Sequence, residues 1–219
     1  MRKHKREFIA RRAAREIEDG FYVNLGLGIP ALAVRFLPEG VEPILVSESG
    51  VQGFGALPPK HKGDADLINA AKEPVALISG ASLFSSVDAY AMIRGGHLDL
   101  CILGGFQVDE RGNLANWMLP GRMVHGMGGA MDLACGAKRV VVAMEHTTPG
   151  KKPKILRNCT LPLTGLGVVH RIITEVAVID VTPQGLVLRE VAAEVSVDDV
   201  CRDTEAGLKV DKDLKIIQV

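Results

Sequence analysis

The stretch FYVNLGLGIPALAVRFL, residues 21–37, carries the pattern that decides the fold class. Residues 21–25 form an apolar run typical of a short strand, and a glycine-rich turn at 26–28 leads out of it. Pro30 suits the first turn of a helix, where its missing N–H costs nothing, so we predict a helix over Ile29–Leu37. A strand, a glycine turn and a helix in succession form the unit from which α/β folds are built.

A helix is also predicted before this stretch. Apolar residues recur at helical spacing over residues 9–17, and Gly20 provides a stop. The Arg and Glu side chains at 11–16 are predicted to form its solvated face.

Strands and helices continue to alternate toward the carboxyl terminus. Ser85 and Asp88 can form a capping box, which predicts a helix over Val87–Arg94. Little regular structure is expected over Gly104–Ala130, which is rich in Gly, Asn and Met. The candidate buried strands after the first are Pro43–Val46, Val75–Ser79, Leu98–Leu103, Arg139–Met144, Val176–Val181 and Leu186–Glu190.

These elements predict an α/β fold with a largely parallel central sheet flanked by helices, an open αβα sandwich. Residues 182–185, Thr-Pro-Gln-Gly, join the last two strands in a hairpin-like turn, which predicts antiparallel strands at an edge. We find no internal repeat and no clear linker, and therefore predict a single domain over 1–219.

Charge and cysteine content argue against several classes of function. Lys plus Arg and Asp plus Glu both number 26, so no net charge favours nucleic acid or an anionic membrane. Acidic residues follow the basic start, unlike a mitochondrial presequence, and no run approaches the ~20 apolar residues of a membrane span. We expect a cytoplasmic protein. No structural metal is expected, because the four cysteines are widely spaced: Cys101, Cys135, Cys159 and Cys201.

The first glycine turn has two competing interpretations. Asn24, Gly26 and Gly28 lie between a strand and a helix, where backbone N–H groups can face an anionic ligand. The turn also fits the G-x-G-x-x-A dinucleotide pattern, and Glu48 follows Gly28 by 20 residues. A simple packing turn has the same sequence, so a ligand loop and a packing turn both remain open.

Two further segments could carry chemistry. Glu48 follows a predicted buried strand, at the sheet edge where open α/β folds bind ligands, although a solvated loop acid would look the same. The segment Gly126–Asp132 could expose several backbone N–H groups before a helix, as oxyanion sites do, although a tight turn is the alternative.

Taken together, these motifs resemble the family I CoA-transferases, specifically B subunits of the 3-oxoacid type. The resemblance covers residues from about 7 to 200. The stretches that carry it are NLGLGIP (24–30), SESG (47–50), DLINAAKEP (66–74), AMIRGGHLDLCILGGFQVD (91–109), GNLANWMLPG (112–121), GMGGAMDL (126–133), VVVAMEHT (140–147), KILRNCTLPLTG (154–165) and RIITEVAVID (171–180).

The resemblance implies roles for particular residues. Glu48 matches the nucleophilic glutamate of a Ser-Glu-Asn-Gly motif, with Ser49 standing where the family usually has Asn. Gly129 matches a backbone oxyanion donor, and Lys72 matches a lysine that approaches CoA. We also expect CoA contacts from Asn24, Gly26, Gly28 and Gly128.

The implied reaction is ping-pong transfer of CoA between short carboxylic acids, such as acetoacetate and succinate, through a glutamyl-CoA thioester on Glu48. It requires no metal or redox cofactor, since CoA is a substrate. The expected partner is an A subunit in an A2B2 heterotetramer, and the loop Gly53–Asp66 is a hypothetical lid that excludes water. The alternatives are a sugar-phosphate isomerase, a nicotinamide-dependent enzyme on a related scaffold, and a non-catalytic CoA-binding subunit.

Overall fold

A computed structural model of the protein describes residues 2–55, 63–69, 72–121, 123–124, 126 and 128–219. The helices are α1 (Arg2–Ala14), α2 (Ile29–Leu32), which a 3₁₀ turn (Ala33–Phe36) continues, α3 (Ser86–Arg94), α4 (Ala130–Gly136) and α5 (Val197–Arg202). The strands are β1 (Tyr22–Leu25), β2 (Ile44–Ser47), β3 (Val51–Phe54), β4 (Leu77–Leu83), β5 (Leu100–Leu103), β6 (Gln107–Asp109), β7 (Leu114–Ala115), β8 (Met118–Leu119), β9 (Met123–Val124), β10 (Arg139–Ala143), β11 (Ile155–Leu156), β12 (Arg171–Ile173), β13 (Ala177–Thr182), β14 (Gly185–Val191) and β15 (Leu208–Ile216).

Ten strands form one sheet in the order β15-β14-β13-β12-β10-β5-β1-β2-β3-β4. The five central strands, from β12 to β2, are parallel to one another. Antiparallel pairs follow on both sides, β2–β3–β4 on one and β12–β13–β14 on the other. The outermost strand β15 pairs parallel with β14. The predicted α/β class with a largely parallel sheet is therefore confirmed, as are antiparallel strands toward both edges, including the hairpin at residues 182–185.

The central part of the sheet is buried on both faces because its strands are mostly apolar. In β5, Leu100 and Ile102 pack against α1 on one face, whereas Cys101 and Leu103 pack with α3 and α4 on the other. Alternate side chains of a strand point to opposite faces, so continuous apolar runs mark strands covered by helices on both sides. This burial fixes the carboxyl ends of the central strands, where the candidate site lies.

Three sequence expectations about elements need correction. The helix predicted over Ile29–Leu37 is only α2 followed by the 3₁₀ turn. The strand predicted as buried over Val75–Ser79 is β4, shifted toward the carboxyl terminus and largely exposed, because it is the last strand of the sheet. The segment predicted to be irregular, Gly104–Ala130, contains β6 to β9, whose two or three residues are too short to show a strand period.

The face of α1 predicted to be solvated is instead partly an internal charge cluster. Arg12 is 5% exposed and donates to Glu190 at 2.7 and 2.8 Å and to Glu16 at 2.8 Å. Glu16 also accepts from Arg139 and Arg171, at 2.9 and 2.8 Å. Burial alone would raise the pKa of Glu16, but these guanidinium groups hold it below its ordinary value. The cluster lines a cavity of about 680 Å³ at the amino ends of the parallel strands.

A membrane span, a metal site and the predicted lid can each be compared with the residues that the structure describes. Within those ranges no helix is long and apolar enough to cross a membrane. In the same part of the chain, no group of three or more His, Cys, Asp or Glu residues could hold a metal ion. The lid predicted over Gly53–Asp66 falls largely on residues 56–62, which lie outside the described residues.

A buried histidine joins the end of β10 to two other segments. His146 is 2% exposed, and its ring nitrogens lie 3.0 Å from the hydroxyls of Thr174 and Thr204. Burial lowers the pKa of His146 from 6.5 to about 4, an effect that the nearby carboxylate of Glu175 only partly offsets. The folded protein therefore holds a neutral imidazole in a position that an unfolded chain would leave free to protonate.

This histidine predicts a loss of stability on mild acidification. Because its folded pKa is depressed, the stabilisation is complete above pH ~6.5 and is lost as pH falls toward 4. At pH 5 the free energy of unfolding should be about 2 kcal/mol lower than at pH 7.5. Urea unfolding of the isolated chain at the two pH values measures this. His146→Gln should abolish most of the difference, whereas His97→Gln, at an exposed histidine, should preserve it. An unchanged pH dependence in His146→Gln would refute the assignment.

Candidate active site

Glu48 lies on a tight turn between β2 and β3, at the carboxyl end of a central strand. The turn is closed by the Gly50 N–H, which donates to the Ser47 carbonyl at 3.0 Å. Gly50 has a φ of +104° and faces the backbone of Phe84, so a side chain there would be strained and would meet the Phe84 carbonyl. Phe84 in turn donates its N–H to the Gly50 carbonyl at 2.9 Å. The turn is thus held from both sides, with Glu48 at its tip.

Asn24 orients the Glu48 carboxylate from the neighbouring strand β1. It is 3% exposed, and its Nδ2 donates to Glu48 Oε2 and to the Val46 carbonyl, both at 3.0 Å. The Val46 carbonyl can only accept, so the amide must present its NH₂ group on this side. The Cys101 thiol, 3.8 Å from Asn24 Oδ1, occupies the other side. Asn24 therefore fixes one carboxylate oxygen of Glu48 and leaves Oε1 for other contacts.

Ser49, the departure from the Ser-Glu-Asn-Gly pattern, has its own role in the turn. Its hydroxyl lies 2.8 Å from that of Ser47 and 3.3 Å from the Ile68 carbonyl, to which it donates. It therefore joins the Glu48 turn to the following segment, in which Ile68 and Pro74 form an antiparallel bridge. A serine hydroxyl thus holds this turn where the usual pattern has an asparagine.

Gly129 lies directly beside the carboxylate, where α4 begins. A methyl group on its Cα would lie 3.1 Å from Glu48 Cγ, 3.3 Å from Glu48 Oε1 and 2.7 Å from the Tyr90 hydroxyl. Only a residue without a side chain leaves this space open. Burial and the charge of Glu48 raise the pKa of Tyr90, and they also raise that of Cys101, beneath Asn24. Both groups therefore keep their protons beside the carboxylate at neutral pH.

The other residues predicted from the sequence are Gly26, Gly28, Gly128 and Lys72. Gly26 extends the β1–β5 ladder by donating its N–H to Ile102 at 2.8 Å, and Gly28 is exposed just before α2. Gly128 is exposed beside Gly129. Lys72 is exposed and lies between the bridged residues Ile68 and Pro74, with a φ of +61° and its N–H donating to the Asn69 carbonyl at 2.9 Å. The structure thus brings together Glu48, Asn24 and Gly129, whereas Gly26, Gly28, Gly128 and Lys72 have no contact with Glu48 among those described.

Two neighbours of Glu48 were not identified as site residues from sequence. In the sequence, Cys101 is only one of four widely spaced cysteines, and the structure shows that it is fully buried. Tyr90 belongs to α3 and was not identified at all, since it lies one position before the stretch 91–109 that carries the family resemblance. The one sequence signal that bears on Tyr90 is the capping box of α3. It fixes where the helix starts, and therefore which residues share a face with Tyr90.

The sheet is mostly parallel, and at its carboxyl edge lie an oriented carboxylate and the space left open by Gly129. These features are those of the α/β enzymes that bind substrates at this edge. The dinucleotide alternative has little structural support, because the helix after its glycine turn has four residues.

Comparison with known proteins narrows the class to one family. Residues 6–203 match the family model described as coenzyme A transferase. The chain is 50% identical over 208 residues to the B subunit of the probable succinyl-CoA:3-ketoacid coenzyme A transferase of Bacillus subtilis, covering 95% of this chain and 96% of the relative. It is also 50% identical over 212 residues to the mitochondrial succinyl-CoA:3-ketoacid coenzyme A transferase 2 of Homo sapiens, covering 96% of this chain but 41% of that longer relative. The chain belongs to the coenzyme A transferase family and is a CoA-transferase.

Solved structures support the fold independently. The acyl-CoA transferase YdiF apoenzyme from Escherichia coli O157:H7 superposes with a TM-score of 0.79 at 23% identity, over 98% of this chain and 43% of that one. Glutaconate coenzyme A-transferase from Acidaminococcus fermentans superposes with a TM-score of 0.71 at 15% identity, over 97% of this chain and 88% of that one. At these identities the likeness concerns the fold alone.

Proposed function

We propose that this chain transfers CoA between a 3-oxoacid and succinate by ping-pong catalysis, with Glu48 as the covalent carrier. Relatives about half identical over nearly the whole chain are named as succinyl-CoA:3-ketoacid transferases, which supports this pair of substrates. The single observation that carries the mechanism is the orientation of the Glu48 carboxylate. Asn24 Nδ2 donates to Oε2 at 3.0 Å, and Oε1 faces the space beside Gly129.

The proposed chemistry follows from the different surroundings of the two Glu48 oxygens. Oε1 attacks the thioester carbon, the C–S bond breaks and CoA leaves as its thiolate, so Glu48 becomes a mixed anhydride. The thiolate then attacks Cδ of Glu48, the Cδ–Oε1 bond breaks, and the first acid departs as a carboxylate. The product is a glutamyl-CoA thioester whose carbonyl oxygen is Oε2. The acceptor carboxylate reverses these steps and releases the new thioester.

Asn24 has a specific task in this scheme. Negative charge develops on Oε2 whenever a nucleophile attacks Cδ, and the Nδ2 group already donates to that oxygen at 3.0 Å. A donor fixed before the reaction stabilises such charge without reorganisation. We therefore assign Asn24 to Glu48 rather than to CoA. The Gly129 N–H is the proposed donor to the substrate acyl oxygen, and Lys72, Gly26, Gly28 and Gly128 remain proposed CoA contacts.

The proposal includes a partner chain. Relatives that match this chain over 96–99% of their length are named as B subunits, and the human relative is a single chain of which it matches 41%. We propose an A subunit that completes the substrate pocket, in an A2B2 assembly. Both acyl intermediates hydrolyse easily, so water must be excluded, and the loop Gly53–Asp66 is the proposed lid.

The covalent mechanism is tested by trapping. The chain is purified with its A partner, exposed briefly to acetoacetyl-CoA, and analysed by intact and peptide mass. A CoA-sized addition is expected on the peptide containing Glu48 and should be lost in Glu48→Gln. The control variant Glu42→Gln changes an exposed carboxylate just before the amino end of β2, and it should still form the adduct. An intact complex that binds CoA but forms no adduct on any carboxylate would eliminate the covalent mechanism.

A further inference from the structure

The proposed reaction assigns no task to Tyr90, a side chain near Glu48. It lies on α3, whose first turn is fixed by a capping box in which Ser85 Oγ accepts from the Asp88 N–H at 3.1 Å. Arg94, one turn further along the same face, donates to Asp132 of α4 at 2.7 Å. Both ends of this helix are therefore fixed, and Tyr90 is held toward the start of α4.

The Tyr90 hydroxyl and the Glu48 carboxylate border the same small space. The position that a methyl group on Gly129 would occupy is 2.7 Å from the hydroxyl oxygen and 3.3 Å from Glu48 Oε1. Since Oε2 is already bonded to Asn24, Oε1 is the oxygen that forms the bond to the acyl carbon. The acyl oxygen then lies next to the space that Gly129 leaves open, within reach of the hydroxyl.

Packing alone does not require this hydroxyl. The Tyr90 ring packs against the core on the α3–α4 side of the sheet, and a phenylalanine ring would do the same. No residue in the described ranges accepts a hydrogen bond from the hydroxyl. Burial and the charges of Glu48 and Asp132 raise the pKa of Tyr90, so the group remains a protonated donor at neutral pH.

We propose that the Tyr90 hydroxyl is a catalytic hydrogen-bond donor to the acyl oxygen when Oε1 of Glu48 attacks the thioester. This inference rests on the proposed function, since it needs Glu48 to be the nucleophile. The hydroxyl keeps its proton throughout and forms no covalent bond. It complements the Gly129 N–H by approaching the developing oxyanion from α3, in a site where preorganised donors are most effective.

The test is Tyr90→Phe in the complex with the A partner, compared with Tyr22→Phe. Tyr22 is the other of the two tyrosines in the chain and lies at the amino end of β1, at the opposite end of the sheet. Steady-state kinetics with acetoacetyl-CoA and rapid-quench mass analysis of the Glu48 adduct are measured. Tyr90→Phe should lower kcat and the rate of adduct formation by about 10²-fold. KM and the melting temperature should stay close to wild type, and Tyr22→Phe should behave as wild type.

The outcomes separate this inference from the proposal on which it rests. If the wild type forms the adduct and Tyr90→Phe forms it equally fast, Tyr90 is not a donor to the transition state. A rise in KM with unchanged kcat would likewise overturn the inference, because it would indicate ground-state binding only. If the wild type forms no adduct, the covalent mechanism itself fails, whatever the Phe variant does.

Discussion

Glu48→Gln is expected to lower kcat by at least about 10⁴-fold, as removal of a covalent nucleophile does elsewhere. The amide is nearly isosteric with the carboxylate, but its oxygen is a far weaker nucleophile and its NH₂ group cannot accept a hydrogen bond. Its oxygen can still accept from Asn24 Nδ2, which lies 3.0 Å from Oε2 in the wild type. The turn should therefore keep its shape, and the loss should fall on chemistry rather than on folding.

The measurement is the initial rate of CoA transfer with the purified complex, together with CoA affinity and melting temperature. CoA affinity is expected to remain within a few-fold of wild type, and Glu42→Gln should retain full activity. Turnover within tenfold of wild type would exclude Glu48 as the nucleophile. Full CoA binding without any turnover in the wild type would favour the non-catalytic alternative.

Gly129→Ala is expected to lower kcat by about 10³-fold while leaving a folded protein. Gly129 has a φ of −79° and a ψ of −7°, which alanine adopts without strain, so the cost arises from the methyl group alone. That group would lie 2.7 Å from the Tyr90 hydroxyl and 3.1 Å from Glu48 Cγ. Displacement of a nucleophile by about 1 Å costs roughly 10²-fold, and the methyl group also fills the proposed space of the acyl oxygen.

Gly207→Ala is the matched control, because Gly207 has open space around its Cα and no positive φ. It should retain wild-type activity. Adding Tyr90→Phe to Gly129→Ala removes the 2.7 Å contact between the new methyl group and the Tyr90 hydroxyl. The double variant should therefore be more stable than Gly129→Ala alone, but its kcat should stay low. Wild-type kcat in Gly129→Ala would show that the space beside Gly129 is not used in the reaction.

Most of the central sheet was predictable because buried strands form continuous apolar runs. The central strand β12 was not predicted, because its three residues are too short to show such a run. β5 is apolar at every position and β10 at every position after Arg139, and their predicted bounds lie within two residues of those observed. Strands at the sheet edges are exposed on at least one side and do not form continuous apolar runs. β15, Leu208–Ile216, contains five lysine and aspartate residues among its nine and lies on an exposed edge, and it was not predicted. The outermost strand on the other side, β4, was placed only approximately for the same reason.

The candidate site divides in a similar way. Glu48 and Gly129 could be selected from local motifs and the family resemblance, since each lies in a distinctive short segment. The pairing of Asn24 with Glu48 depends on β1 and β2 being neighbours, and the approach of Tyr90 depends on how α3 packs against α4. Such contacts between distant segments are tertiary properties, and no single segment of the sequence contains them.

The bond between Phe84 and Gly50 also bears on the lifetime of the site. β4 ends one residue before Phe84, and Leu83 at its end is 63% exposed, so few buried contacts oppose its separation from the sheet. Brief opening of such an edge costs much less free energy than global unfolding. Each opening would release the Gly50 carbonyl and with it one side of the Glu48 turn. Hydrogen exchange at the Phe84 amide would therefore report how often the carboxylate loses its geometry, long before the protein unfolds.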